Sequence, residues 1–574
     1  MPDNVPPDSP PSGPRSRSRR RFVAAAAAVV AGAQVASRSA VSAVSASSGP
    51  NTNYNAPLKW PVDSSSAPIT LTVEAGEYGQ AVQRNIFGTN VEWFNNGDGF
   101  ATSLGVQLAE LATYMGTTVI RFPGGSLSDY YHWKDGTGPL ANRPVRPHYI
   151  DSGSSVNNFG SPELFQLLQS TGAQALLTVN AGTGTAAEAA GWVAYCNAAT
   201  NAQRQADGFT KPIGVKYWEV GNELYYTGNP GPKVSVTPQV YAARFLEYAA
   251  AMRAVDPTIK IIGIGVATGA HVGPDTPYPN WSQVLLEQAA PHMDMIAVHP
   301  SYFPYLYDVD TPPLTAVYPA LWAAPDAVAT SLNTLSTLIA KYEGKRATPM
   351  GIAITEWGAL FSLPEIDPYS TDHVKTLGSA VYMARVLQVF LSNPRVMLAN
   401  HFKFTDRSFM GMVNYAGVPK LPAYLLRMMV ENLGTNLVKS TLYGVPTYST
   451  PGIGTIAARS NVTDVTVMST RNKTTGRLYL NLVNRSVNRS HKINLLINGM
   501  APEQYGGLYM LSGPEPTMHD GRDIAPETAY STAYEPYTTQ RSVPGDVQAS
   551  EVKTDATIVL PPFSVATFVV DEAG

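Results

Sequence analysis

The sequence has little cysteine, little charge and no long apolar run that would fit a membrane span. Its 574 residues include one cysteine, Cys196, and only 14% are Asp, Glu, Lys or Arg. A single cysteine excludes an internal disulfide framework and a metal site built from several cysteines. The Ala-rich run over residues 23–33 falls short of the roughly 20 apolar residues that a membrane span requires. With 44% hydrophobic residues, the chain has the composition of a globular protein.

Charge is nearly balanced over the whole chain but not along it. The 40 Lys and Arg residues face 43 Asp and Glu, and residues 1–46 alone hold six arginines and two aspartates. The remaining chain is therefore net acidic, which argues against nucleic acid as its main partner.

The first 46 residues predict an export leader. Ser18-Arg19-Arg20-Arg21-Phe22 precedes the Ala/Val run and resembles the twin-arginine motif, and Val44-Ser45-Ala46 offers small residues for cleavage after Ala46. An uncleaved membrane anchor is the alternative, but the run is short for one. We therefore expect a secreted or periplasmic protein with no membrane attachment in its mature form. Residues 47–67, rich in Ser, Asn and Pro, predict a linker.

Strand-like and helical segments alternate through residues 86–434, which is typical of repeated βα units. Eight strand candidates occur, the number that a closed (β/α)8 TIM barrel requires. They are residues 86–93, 118–123, 175–180, 215–221, 260–266, 295–300, 351–357 and 398–404.

Residues 435–574 have a different character, with Thr/Val/Tyr-rich runs such as TIAARS, VTVMST and SVATFVV separated by Gly, Asn and Pro. This pattern predicts an all-β sandwich, jelly-roll-like, at the C-terminus. The early run ITLTVEA within residues 68–85 has no partner inside a barrel, so we expect it to pair as an extra strand in that sandwich. The predicted fold class is thus α/β, a TIM barrel followed by a β-sandwich.

Polar side chains close most of the predicted barrel strands, at the end where such barrels carry their active sites. Two of them, Glu223 and Glu356, would provide the carboxyl pair that glycoside hydrolysis uses. Taken singly, each has an ordinary alternative as a loop ion pair or a helix cap. The full set is Glu92, Arg121, Asn180, Asn222, Glu223, His299, Glu356 and Lys403.

Aromatic residues near these strand ends could stack on sugar rings or belong to the core. They include Trp93, Tyr130, Tyr131, Trp133, Tyr225, Tyr226, Tyr302 and Trp357.

The histidines lack metal-binding spacing such as HExxH, and RFPGGS lacks the spacing of a phosphate-binding loop. We expect no metal and no cofactor. The expected partner is a carbohydrate substrate, and the sequence leaves the oligomeric state open.

Several segments resemble the α-L-arabinofuranosidases of glycoside hydrolase family 51. WEVGNE (218–223) resembles the Asn-Glu acid/base motif of retaining (β/α)8 glycosidases. The more specific block IRFPGGSLSDYYHWKDGTGP (120–139) resembles the family's second-strand motif, and IFGTNVEW, MIAVHPSYF and ITEW continue the similarity.

The resemblance implies a role for each matched residue. Glu223 would be the general acid/base and Glu356 the nucleophile of a double displacement, with the pKa of Glu356 lowered by Arg121. Residues that would line the sugar subsite are Glu92, Arg121, Ser126, Asn222, His299, Tyr302 and Lys403.

Two of these positions depart from the family pattern. Ser126 stands where the family usually has Asn, and Lys403 where it usually has Gln. A cationic Lys403 could anchor a uronic acid, or it could form an ion pair with Asp406 or another strand-end acid. The leading hypothesis is a secreted arabinofuranosidase. The same mechanism on another sugar (a β-glucuronidase, β-xylosidase or endo-glucanase) and a non-catalytic carbohydrate-binding protein are the alternatives.

Overall fold

The computed structural model describes residues 67–149, 153–227, 231–267, 278–299, 305–306, 314–361, 375–405, 410–413, 417–453, 456–513, 515–516, 548–555 and 557–573. The predicted leader, the predicted linker up to residue 66 and the candidate site residue Tyr302 lie outside these ranges. Among the helices in these ranges, none combines the length and the apolar character that a bilayer crossing needs.

Eight parallel strands form a closed barrel in which each strand pairs with the next along the chain, so the predicted TIM barrel is confirmed. The eighth strand returns to the first, with His401 opposite Thr89. In chain order the barrel strands are Gly88–Asn90, Val119–Phe122, Gln174–Val179, Tyr217–Val220, Lys260–Ile264, Met295–Ala297, Gly351–Trp357 and Val396–His401.

One long helix follows each barrel strand. Three of the helices begin at a threonine whose side-chain oxygen accepts a backbone N–H of the first turn, which satisfies a donor that the helix itself cannot. These caps are Thr185, Thr237 and Thr376. The eight helices are Gly105–Tyr114, Ser161–Thr171, Ala186–Asn197, Pro238–Val255, Trp281–Ala289, Leu314–Tyr342, Leu377–Ser392 and Leu421–Glu431.

Short elements complete the barrel region. The short helix Ala202–Ala206 follows Ala186–Asn197. Single 3-10 turns occur at Arg84–Ile86, Gly125–Tyr130, Trp133–Gly136, Leu140–Asn142 and Ala290–His292, and Phe94–Asp98 forms one further turn. Two-stranded ribbons pair Val145–Pro147 with Ser154–Val156 and Tyr305–Leu306 with Leu360–Phe361.

A nine-stranded sheet forms the second structural unit. Strands from both ends of its hydrogen-bonded order contribute to one apolar core, so the sheet folds over on itself as a sandwich. Its strands, in sheet order, are Gln548–Lys553, Tyr505–Leu511, Ser564–Val570, Leu478–Asn484, Val465–Arg471, Asn436–Tyr443, Ile69–Ala81, His491–Asn498 and Ile558–Leu560.

Strand Ile69–Ala81 precedes the barrel in sequence and lies inside this sheet, antiparallel to Asn436–Tyr443 and parallel to His491–Asn498. Alternate residues along its first half are fully buried in the sandwich core, as the period of two in ITLTVEA requires. The sequence misplaced one strand. The TIAARS run enters strand structure only at Arg459–Thr463, which forms a separate ribbon with Thr447–Thr450.

Polar contacts join the sandwich to two barrel helices. The buried Gln388 amide donates to the backbone oxygen of Asn481 at 3.0 Å and accepts the Thr466 hydroxyl at 2.7 Å. Arg485, 2% exposed at its side chain, pairs with Asp326 at 2.9 Å. These contacts hold the sandwich against helices Leu314–Tyr342 and Leu377–Ser392, on the outside of the barrel.

Candidate active site

Inside the barrel, the inward-facing positions change from apolar to polar toward the C-terminal ends of the strands. The apolar layer includes Val119, Leu176, Tyr217 and Ala353, which pack together. Two residues further along the same strands, the side chains are Arg121, Thr178, Glu219 and Thr355, all fully buried. Because side chains alternate along a strand, these positions share the barrel interior. The polar layer is therefore built on a rigid apolar base.

Arg121 lies at the centre of this polar layer. Its guanidinium donates to Glu219 at 2.7 Å, to Glu356 at 2.8 Å and to the side-chain oxygen of Asn222 at 2.7 Å. A fourth bond, 3.1 Å long, goes to Asn90. A buried guanidinium with its fork of donors engaged on two carboxylates is both charge-compensated and fixed in orientation. Arg121 thus connects four barrel strands at the level of the predicted carboxyl pair.

Glu219 is a buried carboxylate that the sequence analysis did not select. Besides Arg121, it accepts the hydroxyl protons of Thr178 and Thr355, each at 2.7 Å. Every one of these partners lies in the barrel interior, so Glu219 acts as the anchor of Arg121 and not as a second reacting acid. Its signal in the sequence was its place in WEVGNE, two residues after the inward-facing Tyr217.

The hydrogen bonds of His299 fix how a proton is shared with Glu223. The Thr355 hydroxyl donates to Glu219, so at its 3.0 Å contact with Nε2 of His299 it accepts a proton from the ring. Nδ1 of His299 lies 2.7 Å from Oε1 of Glu223. That contact needs one proton, carried either by the carboxyl group or by the imidazole. Glu223, after the fourth strand, and His299, after the sixth, therefore share one proton.

The backbone also sets Glu223 apart. Its φ angle is 44°, a left-handed conformation that costs an ordinary residue about 1 kcal/mol or more. Such conformations concentrate at functional sites, where the surrounding structure over-determines them. The preceding Gly221, with φ 79°, begins this sharp turn out of the strand.

Glu356 approaches the same pair from the seventh strand. Ligand-type atoms of Glu223, His299 and Glu356 all lie within 4.8 Å of one another. Burial raises the pKa of Glu356, and the nearby positive charges of His299 and Arg121 only partly oppose this. The expectation that Arg121 leaves the pKa of Glu356 below its usual range is therefore wrong, because desolvation outweighs the guanidinium.

The charges of the two glutamates act on His299 in return. Burial lowers the pKa of its imidazole, but the negative charges of Glu356 and Glu223 raise it more, and the net shift is upward. The same three side chains could hold a divalent metal ion. Arg121, 2.8 Å from Oε1 of Glu356, adds a positive charge that opposes a cation there.

Asn222 is positioned by a second buried acid that the sequence analysis did not select. The Asp129 carboxylate accepts the backbone N–H of Asn222 at 3.0 Å and that of Ala181 at 3.3 Å, which ties the third and fourth strands together. Burial raises the pKa of Asp129 to about 7. The Asn222 side-chain oxygen accepts from Arg121, while its Nδ2 group, although buried, has no hydrogen-bond partner among the described residues. That amide can donate to a bound ligand.

Lys403 lies at the opposite side of the barrel mouth, after the eighth strand. Its ammonium donates to Glu92 at 2.6 Å and to Asp98 at 2.6 Å, and it lies 5.6 Å from the ring centroid of Phe94. The predicted alternative of an ion pair with a strand-end acid is confirmed for Glu92. The other acid is Asp98, whereas Asp406 falls outside the described residues.

Ser126 follows Gly125, which packs against Glu92. A Cβ placed on Gly125 would lie 3.3 Å from Oε1 of Glu92, so this loop passes close to the carboxylate. Ser126 itself is half-buried in the short 3-10 turn Gly125–Tyr130.

Most of the aromatic residues proposed for sugar stacking are buried in the protein core. Trp93, Tyr131, Trp133, Tyr225 and Trp357 are each at most 5% exposed and belong to the main apolar core. They stack on each other and on neighbouring core rings, as Trp133 does on Trp192. Tyr130 and Tyr226 remain half-buried, and the Tyr130 hydroxyl donates to the backbone oxygen of Pro232 at 2.8 Å.

Known proteins are similar to this chain in sequence and in fold. Residues 111–296 match the family model described as the alpha-L-arabinofuranosidase 1 domain. α-L-Arabinofuranosidase C of Emericella nidulans is 34% identical over 197 residues, which cover 32% of this chain and 37% of that protein. The chain resembles the α-L-arabinofuranosidases. A probable α-L-arabinofuranosidase C of Aspergillus terreus matches the arabinofuranosidase-like chain at 29% identity over 294 residues, or 48% of this chain and 54% of that protein.

The fold of the arabinofuranosidase-like chain is also found in solved structures. An α-L-arabinofuranosidase from Thermotoga maritima, in complex with arabinose, aligns with a TM-score of 0.72 at 23% identity, covering 88% of this chain and 100% of that one. In sequence, the arabinofuranosidase-like chain spans between a third and about half of the length of the curated relatives above.

Proposed function

We propose that this chain is a retaining glycoside hydrolase that releases α-L-arabinofuranosyl residues from plant-type polysaccharides or oligosaccharides. The observation that carries the proposal is the separation of Glu223 and Glu356, whose carboxylate oxygens approach within 4.8 Å. Retaining glycosidases hold their two carboxyl groups about 5 to 5.5 Å apart, whereas inverting enzymes need about 6.5 to 9.5 Å to admit a water molecule.

The surroundings of the two glutamates support the proposed roles. Glu356 is hydrogen-bonded by the Arg121 guanidinium, which stabilises its ionised form and orients it as the nucleophile. Glu223 shares a proton with His299, which suits a general acid. The arabinofuranosidase relatives support arabinofuranose as the sugar.

The reaction then has two steps. The Glu356 carboxylate attacks the anomeric carbon and forms an ester, while the glycosidic C–O bond breaks and the leaving oxygen takes the proton from Glu223. A water molecule next attacks the same carbon, gives its proton to the Glu223 carboxylate and displaces Glu356. The anomeric configuration is inverted twice and so retained. Neither step uses a metal or an organic cofactor.

The test is hydrolysis of 4-nitrophenyl α-L-arabinofuranoside, with the β-D-xyloside, β-D-glucoside and β-D-glucuronide as competitors. We expect the arabinofuranoside to be preferred and the first-formed arabinose to keep its configuration by proton NMR. In Glu356→Gly, azide should restore turnover with an inverted glycosyl azide, and in Glu223→Gly with a retained one. Glu287→Gln, at an exposed helix position, is the control. Inversion by the wild type, or wild-type activity in both glycine variants without azide, would contradict the proposal.

We also propose that the leader directs export. Arg19, Arg20 and the Ala/Val run that follows support this. In a bacterial host with twin-arginine export, the wild type should reach the periplasm or medium shortened by about 46 residues. Replacing Arg19 and Arg20 by Lys should leave the full-length chain in the cytoplasm. Cytoplasmic wild-type protein would contradict the proposal.

A further inference from the structure

A turn with left-handed backbone angles carries one of the acids that contact Lys403. Four consecutive residues, Asn95, Asn96, Gly97 and Asp98, have φ angles of 50°, 57°, 62° and 53°. Left-handed backbone costs an L-residue other than glycine about 1–2 kcal/mol, and Asn and Asp tolerate it better than most. The Asn, Gly and Asp residues of this turn therefore allow its left-handed backbone. Asp98 is its last residue.

The turn delivers the Asp98 carboxylate into a fully buried position. One oxygen accepts from Lys403 at 2.6 Å and the other accepts the backbone N–H of Glu92 at 2.8 Å. Asp98 therefore holds both the lysine and the backbone that carries Glu92. Unfavourable backbone angles persist only where the surrounding structure holds them, and the two contacts of the buried Asp98 carboxylate do so here.

Charge in this trio is already more than balanced. Lys403 is 3% exposed at its side chain, Glu92 8% and Asp98 0%, so all three lie largely out of water. One ammonium faces two carboxyl groups at 2.6 Å. A substrate carboxylate brought to Lys403 would have to displace both acids from the ammonium. Burial raises the pKa of Asp98 to about 7, so Asp98 repels such a group as a full charge only above that pH.

The trio is connected to the reacting groups through the first strand. Asn90 accepts from Arg121, which also donates to Glu356. Glu92 follows that strand, two positions nearer the barrel mouth. Backbone pairing of Phe404 with Asn90 brings the segment of Lys403 beside the first strand. The eighth strand, which Lys403 follows, pairs with the seventh strand that carries Glu356.

We propose that Asp98 and Lys403 are positioning residues that hold Glu92 fixed as a hydroxyl acceptor, and that the trio selects neutral sugars and excludes uronic acids. This inference rests on the proposed glycosidase function. Lys403 orients one oxygen of Glu92 and compensates its charge. Asp98 in turn keeps the ammonium from serving a substrate carboxylate.

The experiment compares Lys403→Gln with the double variant Lys403→Gln/Asp98→Asn. In the single variant two buried carboxyl groups face each other without a cation, and Glu92 loses the ammonium that orients it. We expect KM for the arabinofuranoside to rise about tenfold or more, with a smaller change in kcat. The double variant also removes the buried acid that lost its ammonium partner, and KM should return to within about threefold of the wild type. Lys260→Gln, which breaks an ion pair with Asp294 at the other end of the barrel, is the matched control.

A second readout separates this inference from the proposed activity. Calorimetric titration with L-arabinose and with D-glucuronate needs no turnover, and the wild type should bind only the neutral sugar. Failure to cleave the arabinofuranoside together with this binding preference would refute the proposed activity alone. Binding of glucuronate that Lys403→Gln abolishes, binding of neither sugar, or a double variant no better than the single one would overturn the positioning role.

Discussion

Nδ1 of His299 lies 2.7 Å from Oε1 of Glu223, and the two groups share one proton. The other ring nitrogen is committed to Thr355, whose hydroxyl donates to Glu219. The proton that a leaving group needs is therefore held in a contact fixed by two further buried residues. A carboxyl group alone in the cleft would have no such support.

Replacing His299 by Gln should shift the acid limb of kcat/KM to higher pH. The imidazolium lowers the pKa of Glu356, so its removal raises that pKa further and protonates the nucleophile at pH values where the wild type is active. In the wild type the limb already lies above the ordinary glutamic acid value of about 4.3, because burial raises the pKa. pH-rate profiles on the arabinofuranoside measure the position of the acid limb in the wild type and its shift in the variant. The exposed His292, at the other end of the barrel, provides the control variant His292→Gln, and a limb that stays in place or moves down would refute the expectation.

Glu219→Gln should move the same limb in the opposite direction. Loss of a negative charge leaves Arg121 less compensated, and its stronger attraction for the Glu356 carboxylate lowers the pKa of that group. Breaking a buried ion pair by removing one partner also costs about 3–5 kcal/mol of unfolding free energy. Denaturant unfolding and pH-rate profiles measure the two effects. An upward shift, or unchanged stability, would show that Glu219 does not anchor Arg121.

Asp129 should make the protein less stable as the pH rises from about 4 to 7. Its pKa is about 7 when folded against 3.8 as a reference, so folding opposes its ionisation. The stability it contributes is present below the reference value and is lost as the pH rises through the folded value, by about 4 kcal/mol at most. Asp129→Asn cannot ionise, so its unfolding free energy should fall less over this range. Equal slopes of stability against pH in the two proteins would contradict the shift.

Removing metal ions should leave activity unchanged. Glu223, His299 and Glu356 are close enough to bind a divalent cation, but the proposed double displacement needs their proton and charge instead. After dialysis against EDTA, kcat/KM on the arabinofuranoside should equal that of the untreated enzyme. Activity lost on dialysis and restored by a divalent ion would assign the three residues to a metal site.

Gly97→Ala should destabilise the protein and raise KM. Its Cβ would lie 2.1 Å from Cγ of Phe159, so the turn that carries Asp98 would have to move. Gly214→Ala is the matched control, since Gly214 has a similar φ of 73° but nothing within 4 Å of its Cβ position. The control isolates the cost of the left-handed backbone, about 1 kcal/mol. Equal melting temperatures and KM values for the two variants would show that the turn is not needed to place Asp98.

Much of the fold was predictable because it depends on local periodicity. Strand positions follow from short β-branched runs, and the closure of the barrel follows from their number. The pairing partners of Ile69–Ala81 were predictable only by elimination, since nothing in that segment names Asn436–Tyr443. The TIAARS run was wrongly predicted as a strand of the sandwich, because β-propensity reflects packing against neighbours that the sequence does not reveal.

Glu223 and Glu356 could be selected as the candidate carboxyl pair because they end strands and belong to motifs. Glu219 and Asp129 were missed, since a lone acid within a strand or loop looks like any other until its partners are known. Asp98 was missed for a different reason. Asn-Asn-Gly-Asp predicts a turn of some kind, but not one that leads its last carboxylate under Lys403. The sign of the Glu356 shift depends on how deeply the group is buried, which is a property of the folded protein.

The position of Ile69–Ala81 in the sandwich has a consequence for how the chain is made. This strand leaves the ribosome before the barrel, yet its neighbours Asn436–Tyr443 and His491–Asn498 follow only after the whole barrel. At synthesis rates of about 5–20 residues per second, it waits roughly 20 to 70 s with an apolar face uncovered. Chaperone binding or early aggregation during translation should therefore concentrate on this segment, and a gene fragment that stops at the end of the barrel would leave this strand permanently unpaired.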